Sequence, residues 1–254
     1  MAGRTADPGD GVLARAARLL GAFDDDHDEL PLAELAARSG LARSTVHRLA
    51  VELERLGFLA RTPAGWTIGA VLWELGERSP LSMRLREVAL PHLGRLYEAI
   101  GENVHLAVLD GPAEHAEALY VARLSGPRAI PTVSRMGGRH PLYATGVGKA
   151  LLEGVDADFL DRYLAAVPRE RETVHTVLDA ATLRRQIDEA RERGWATTRQ
   201  EMTLGNVSVA APIPQVLGLP PAAVGVVAHI ARADERRLGR LVVDAARQIA
   251  ADLR

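Results

Sequence analysis

The sequence contains no cysteine. Disulfides, thiolate zinc sites and cysteine nucleophiles are therefore excluded, and the absence fits a reducing, cytoplasmic setting. Aromatic residues make up only 4% of the chain, so the core must rest on Leu, Val, Ile and Ala. No stretch approaches the ~18 consecutive apolar residues that a membrane-crossing helix needs, and no membrane partner is expected. The opening MAGRTADPGDG is polar and glycine-rich, without the apolar core of a signal peptide. It reads as a short disordered arm over residues 1–10. Charge of one sign is also lacking: 31 Lys and Arg against 33 Asp and Glu leave a net charge of −2. A nucleic-acid binder concentrates its basic residues locally, so this balance decides nothing by itself.

Signatures of catalysis are missing as well. The stretch YATGVGKALLEG at 143–154 looks at first like a phosphate-cradling loop. That mechanism needs a leading glycine five residues before the Gly-Lys pair's glycine and a Ser or Thr just after the lysine. Tyr143 and Ala150 stand at those two places. There is no G-x-S-x-G and no H-E-x-x-H. The eight histidines form no close pair on one helix face, so no metal and no cofactor is expected. What remains is a glycine-lined helix start near Thr145, with Gly146 and Gly148 open to close approach and amides able to receive a small anion. The blander reading is that these glycines only permit a turn and tight helix packing.

The pattern along the chain divides it in two. Apolar residues recur at helical spacing over 12–23, 32–40 and 42–58, and 58–69 reads as a hairpin turning at Pro-Ala-Gly. Residues 70–100 are helical, with Pro91 starting or kinking a helix. From Glu102 onward strands and helices mix. Strands are expected at 103–110, 117–123, 128–134, 195–200, 206–213 and 222–230, and helices at 145–154, 157–167, 179–194 and 234–253. The fold class is α+β: residues 11–70 form a small helical domain ending in a hairpin, 71–82 a helical linker, and 83–254 a second domain with its own core.

The first domain has a physical use. The major groove of B-DNA admits one α-helix. A groove-entering helix needs short polar residues near its N-terminus and long donors beyond. The helix at 42–58 offers Arg43, Ser44 and Thr45 at its start, and His47 and Arg48 on the face opposite its apolar stripe. A hairpin behind it would act as a wing, with Arg61 near the tip placed to touch phosphate or the minor groove. The bland alternative is a solvated face on which Arg48 and Arg55 neighbour Glu52 and Glu54.

The segments RAARLLGAF, LPLAELAARSGLARSTVHRLAVELERLGFL, LREVALPHLGRLYEAIGENVHLAVLDG, SRMGGRHPLYATGVGKALL, RERGWATT and VSVAAPI closely resemble IclR-type bacterial transcriptional regulators. The resemblance covers about residues 11–250; STVHRL and HPLYATGVGKALL are its most specific pieces. It implies a winged helix-turn-helix joined by a helical linker to a GAF-like α/β effector-binding domain. It also implies a homodimer or dimer of dimers on palindromic double-stranded operator DNA, and a small organic acid as effector. The effector cavity would lie beside Met136, Gly137, Thr145 and Gly146, bordered by Glu201, Ser208 and Val227. Two departures stand out. Many relatives carry Cys where Ser208 stands, and a serine-containing run near the last strand is here GVVAH, with Val227 and Ala228. Fewer hydroxyls imply a more apolar cavity, suited to an aromatic or longer acyl acid. Two other readings stay open: a constitutive DNA binder whose second domain only oligomerises, and a small-molecule enzyme with a helical appendage.

Overall fold

The computed structural model describes residues 11–24, 27–126, 128–132 and 134–254. The arm expected over 1–10 lies outside the described residues. The chain falls into two compact units that divide between Ser79 and Pro80.

In the first unit, α1 (Val12–Leu20), α2 (Leu32–Ser39) and α3 (Arg43–Arg55) precede a hairpin of β2 (Leu59–Arg61) and β3 (Trp66–Ile68). Gly40 takes a left-handed conformation (φ 66°) that ends α2 and turns the chain into α3. The stripe predicted for α3 is the one buried: Val46, Leu49, Ala50 and Leu53 pack on Leu19, Leu35, Leu59 and Trp66. One strand escaped the sequence reading. Glu29–Leu30 forms β1, which pairs with β3 and makes the wing three-stranded, in the order β1-β3-β2. Two residues carry too little alternation to be recognised as a strand. α4 (Ala70–Glu77) follows and buries none of its residues.

The second unit begins with a π-helical turn, Leu81–Arg86, that runs into α5 (Glu87–Ile100). Pro91 sits inside α5 and not at its start. Its missing N–H cannot bond the carbonyl one turn back, and the π-helical turn immediately precedes it. The strands β4 (Asn103–Asp110), β5 (Glu117–Leu124), β6 (Arg139–Pro141), β7 (Ala196–Arg199), β8 (Asn206–Ile213) and β9 (Ala222–His229) build one antiparallel sheet, ordered β6-β5-β4-β9-β8-β7. The helices α6 (Gly146–Glu153), α7 (Ala157–Ala166), α8 (Ala180–Arg193) and α9 (Glu235–Asp252) complete it. Their starts follow local rules: Asp156, Asp179 and Asp234 each accept a backbone N–H of the first turn, at 2.8, 2.7 and 3.0 Å.

The strand expected over 128–134 does not form in its described residues. Pro131 has no N–H to give a ladder. Side chains take the carbonyls instead: Asn103 donates to Ile130 at 2.8 Å, Asn206 to Pro131 at 3.2 Å, and Arg123 to Ser134 at 2.9 Å. The edge position goes to β6, which pairs with Glu117–Leu119.

The two faces of this sheet differ in side-chain size, and that difference positions the cavity. One face carries Val104, Leu106, Val108, Val207, Val209, Val224 and Val226 against α5 and α9. The other carries Ala107, Ala210 and Ala223, with Gly225 so close to Val147 that a Cβ there would come within 2.7 Å of its Cγ1. Small residues let α6 lie directly on the sheet, and α7 and α8 close over it.

Candidate DNA-binding surface and effector cavity

α3 presents Arg43, Ser44, His47, Arg48, Val51 and Arg55 to solvent, while Thr45 is half-buried. Arg55 is spoken for by Glu52, at 2.7 Å one turn back. Arg43 and Arg48 make no hydrogen bond or ion pair to the described residues. The solvated-face reading therefore describes Arg55, whereas Arg43 and Arg48 keep all their donors available. On the wing, Arg61 lies opposite Trp66 in the β2–β3 register, and its guanidinium rests 4.0 Å over the Trp66 ring. Trp66 is buried and donates its Nε1–H to Glu54 of α3 at 2.9 Å. This chain of contacts fixes Arg61 relative to α3 at the base of the loop formed by Thr62–Gly65.

In the second unit, a cavity of about 50 Å³ opens between α6, the sheet and the loop after β7. Thr145, Gly146, Glu201, Ser208 and Val227 all line it, although they come from four separate segments. Ser208 and Val227 are register partners on β8 and β9. Met136 and Gly137 stand outside the lining, and the Met136 side chain is 59% exposed. Of the two residues noted in the GVVAH run, only Val227 faces the cavity. Ala228 points to the opposite face, into the core against α5 and α9.

The head of α6 differs from the open anion cradle expected. Thr145 caps it: its Oγ1 accepts the Gly148 N–H at 3.1 Å and donates to the Pro141 carbonyl at 2.9 Å. Every residue from Gly146 to Leu152 is buried. A Cβ on Gly146 would fall 2.2 Å from Ser208 Oγ, and one on Gly148 would fall 2.4 Å from Leu142 Cα. The glycines thus serve close packing first; only Gly146, beside Ala144 and Thr145, also reaches the cavity.

Lys149 is the residue whose role the sequence did not reveal. Its ammonium donates to both Glu201 oxygens, at 2.7 and 2.8 Å, and to Gln186 Oε1 at 2.7 Å. The side chains are 1% and 5% exposed, so the pair is shut away from water. Burial pushes the Lys149 ammonium down from its usual range and the Glu201 carboxyl up, and each partner's charge opposes that drift. Three short acceptors around one ammonium favour the ionised pair. A signal existed: a lysine within the run VGKALL, which offers no polar face, can be buried only if it is paired.

The remaining walls come from segments that carry no motif. Thr132 and Ser134 share a 2.9 Å hydrogen bond, and Ser134 Oγ meets Nε2 of the buried His105 at 2.9 Å. Burial, with the charges of Arg123 and His140, holds His105 down to about 3, so it stays neutral. Gln200 adopts φ 59°, and among the described residues no other non-glycine has a positive φ. That backbone turns the chain at the cavity wall, where its Oε1 accepts the Gly205 N–H at 2.9 Å.

Comparison with known proteins decides the family. The profile of the bacterial transcriptional regulator IclR C-terminal domain matches residues 80–253, and that of the IclR helix-turn-helix domain matches residues 12–63. The chain belongs to the IclR family. The HTH-type transcriptional regulator BhcR of Paracoccus denitrificans is 34% identical over 226 residues, spanning 87% of this chain and 79% of that protein. The transcriptional repressor IclR of Escherichia coli is 29% identical over 242 residues, 93% of this chain and 88% of the repressor. Among solved structures, an IclR homolog from Microbacterium hydrocarbonoxydans complexed with 4-hydroxybenzoate superimposes with a TM-score of 0.87. It is 32% identical, and the match covers 96% of this chain and 99% of that one. As an IclR-family member the chain is a ligand-responsive, DNA-binding transcriptional regulator and not an enzyme. The fold follows: an N-terminal helix-turn-helix with its wing, and a C-terminal α/β effector domain.

Proposed function

We propose that this regulator acts in the cytoplasm as a homodimer or dimer of dimers, reading a two-fold operator with α3 and responding to a small organic acid held in the cavity beside α6. The convergence of Thr145, Gly146, Ser208, Glu201 and Val227 on one enclosed space carries the effector reading. Most of the surface facing that space is carbon, edged by hydroxyls of Thr132, Ser134, Thr145 and Ser208. Such a lining suits an acid with an apolar body and a few polar ends. The 4-hydroxybenzoate bound by the relative from Microbacterium hydrocarbonoxydans has that character. A space of this size holds about four waters, so a ring-sized ligand enters by displacing a flexible side chain, for which Met202 is suited. Dimerisation is supported by apolar surface that the first unit leaves uncovered: Leu13 on α1 is 82% exposed and Trp73 on α4 is 68% exposed. Two-fold symmetry then supplies two recognition helices for two half-sites.

The test is operator binding with and without acid. Fluorescence anisotropy on DNA from upstream of the protein's own gene is expected to show a salt-sensitive complex. Its affinity is expected to change by about fivefold or more with an acid that binds. Acids that bind in calorimetry but leave operator affinity unaltered would overturn the effector reading.

The DNA-contacting residues separate by role. Arg48→Ala is expected to weaken operator binding by about 1–3 kcal/mol and to relax specificity at one base pair. Arg61→Ala is expected to weaken binding to all sequences alike and to lower the slope of log affinity against log salt by about one. Identical behaviour of the two variants on operator and scrambled DNA would remove the distinction.

A further inference from the structure

We propose that Lys149, which does not itself line the cavity, sets the cavity's preference for acids by holding Glu201 neutralised. The inference rests on the reading of an organic acid as effector and names the residue that makes an anion tolerable there. Among the described residues the cavity wall includes no lysine and no arginine. Its one carboxylate is that of Glu201, and its one imidazole is that of His140. Left alone, that carboxylate would repel an acid. At ~5 Å and an effective dielectric of ~20, the repulsion would weaken binding on the order of a hundredfold. Lys149 removes this penalty from behind the wall. Its ammonium bonds both carboxylate oxygens, and Gln186 takes a third donor, so the cation is fully engaged and fixed in place. Thr176 adds rigidity by donating to the Glu201 backbone carbonyl at 2.8 Å.

The arrangement separates two jobs that one surface cation would combine. A lysine exposed in the cavity would bind any anion, inorganic phosphate included. A lysine behind a carboxylate only cancels a charge. Selectivity then falls to neutral polar groups of the lining, Ser134 and Ser208 among them. Lys149 is on this view a positioning residue that acts through Glu201 and touches no ligand.

Calorimetric titration of the full chain with 4-hydroxybenzoate and with its uncharged amide tests this. For Lys149→Met at a pH high enough to ionise the unpaired Glu201 carboxyl, which burial raises, affinity for the acid is expected to fall on the order of a hundredfold, while affinity for the amide stays within about threefold. Glu201→Gln is expected to bind the acid at least as tightly as the wild type. The double variant Lys149→Met with Glu201→Gln is expected to bring acid affinity back to within about threefold of wild type. The double variant leaves neither a buried carboxylate nor a buried ammonium unpaired, so it carries the test even if a single variant folds poorly. Equal losses for acid and amide in Lys149→Met, or a double variant that binds acid as weakly as that single one, would overturn the assignment while leaving the acid-effector reading intact. A wild-type protein that binds the amide and not the acid would overturn both.

Discussion

Lys149→Met is expected to destabilise the effector unit by about 3–5 kcal/mol, the cost of leaving one member of a buried ion pair alone. In a unit of this size that corresponds to a melting temperature about 10 °C lower. The magnitude follows from burial and not from the pair's attraction. An exposed pair such as Arg162 with Asp158 contributes little, because water solvates each member when the other is removed. Glu201 has no such recourse: its side chain is 5% exposed. Met fills nearly the same volume as Lys, so the change removes charge with little cavity formation. The control is again the double variant with Glu201→Gln. Once the carboxylate is gone nothing charged remains buried, and more than half of the lost stability should return. Urea unfolding followed by circular dichroism gives both numbers. A single-variant loss below about 1 kcal/mol, or a double variant no more stable than the single, would show that the pair is solvated after all.

This pair also marks where the sequence stops being readable. Periodicity located α3 and its buried stripe, and it located α8 within the expected span 179–194, because each rests on residues within one or two turns. The resemblance brought Thr145, Gly146, Glu201, Ser208 and Val227 into one list, and all five line one cavity. What local patterns could not supply was the partner of Lys149, which lies 52 residues away along the chain. They also could not show that residues 128–132 abandon strand pairing so that their carbonyls can meet Asn103 and Asn206. Thr132 and Ser134 reach the cavity wall only because of that irregular path. The resemblance also placed Met136 and Gly137 beside the cavity; they stand outside its lining, and the Gly137 amide is bound to the Tyr120 carbonyl at 2.8 Å.

Gly146→Ala and Gly148→Ala are each expected to destabilise the effector unit by about 3 kcal/mol or somewhat more, the upper end for forcing added volume into a filled core. Helix propensity alone gives the opposite sign, since alanine exceeds glycine by up to about 1 kcal/mol in a helix interior. Contact geometry decides the matter. At Gly146 the new methyl group would meet Ser208 Oγ at 2.2 Å and Ser208 Cβ at 2.8 Å; at Gly148 it would meet Leu142 Cα at 2.4 Å and Leu142 O at 2.5 Å. The first obstruction is mostly a side chain, and the second is backbone. Ser208→Gly should therefore rescue Gly146→Ala, since the next contact is the Ser208 carbonyl carbon at 3.3 Å, and should do nothing for Gly148→Ala. Thermal melts of the two singles, Ser208→Gly alone and the two doubles form a pair of cycles. A coupling near 2 kcal/mol in the first and near zero in the second is the expected result. Because Gly146 and Ser208 both line the cavity, the rescued double also measures function: it removes a hydroxymethyl group from β8 and adds a methyl group on α6, so its affinity for an acid effector reports how the ligand sits between them. If Gly146→Ala proves stabilising, α6 does not lie against β8 as described, and the cavity wall is built differently.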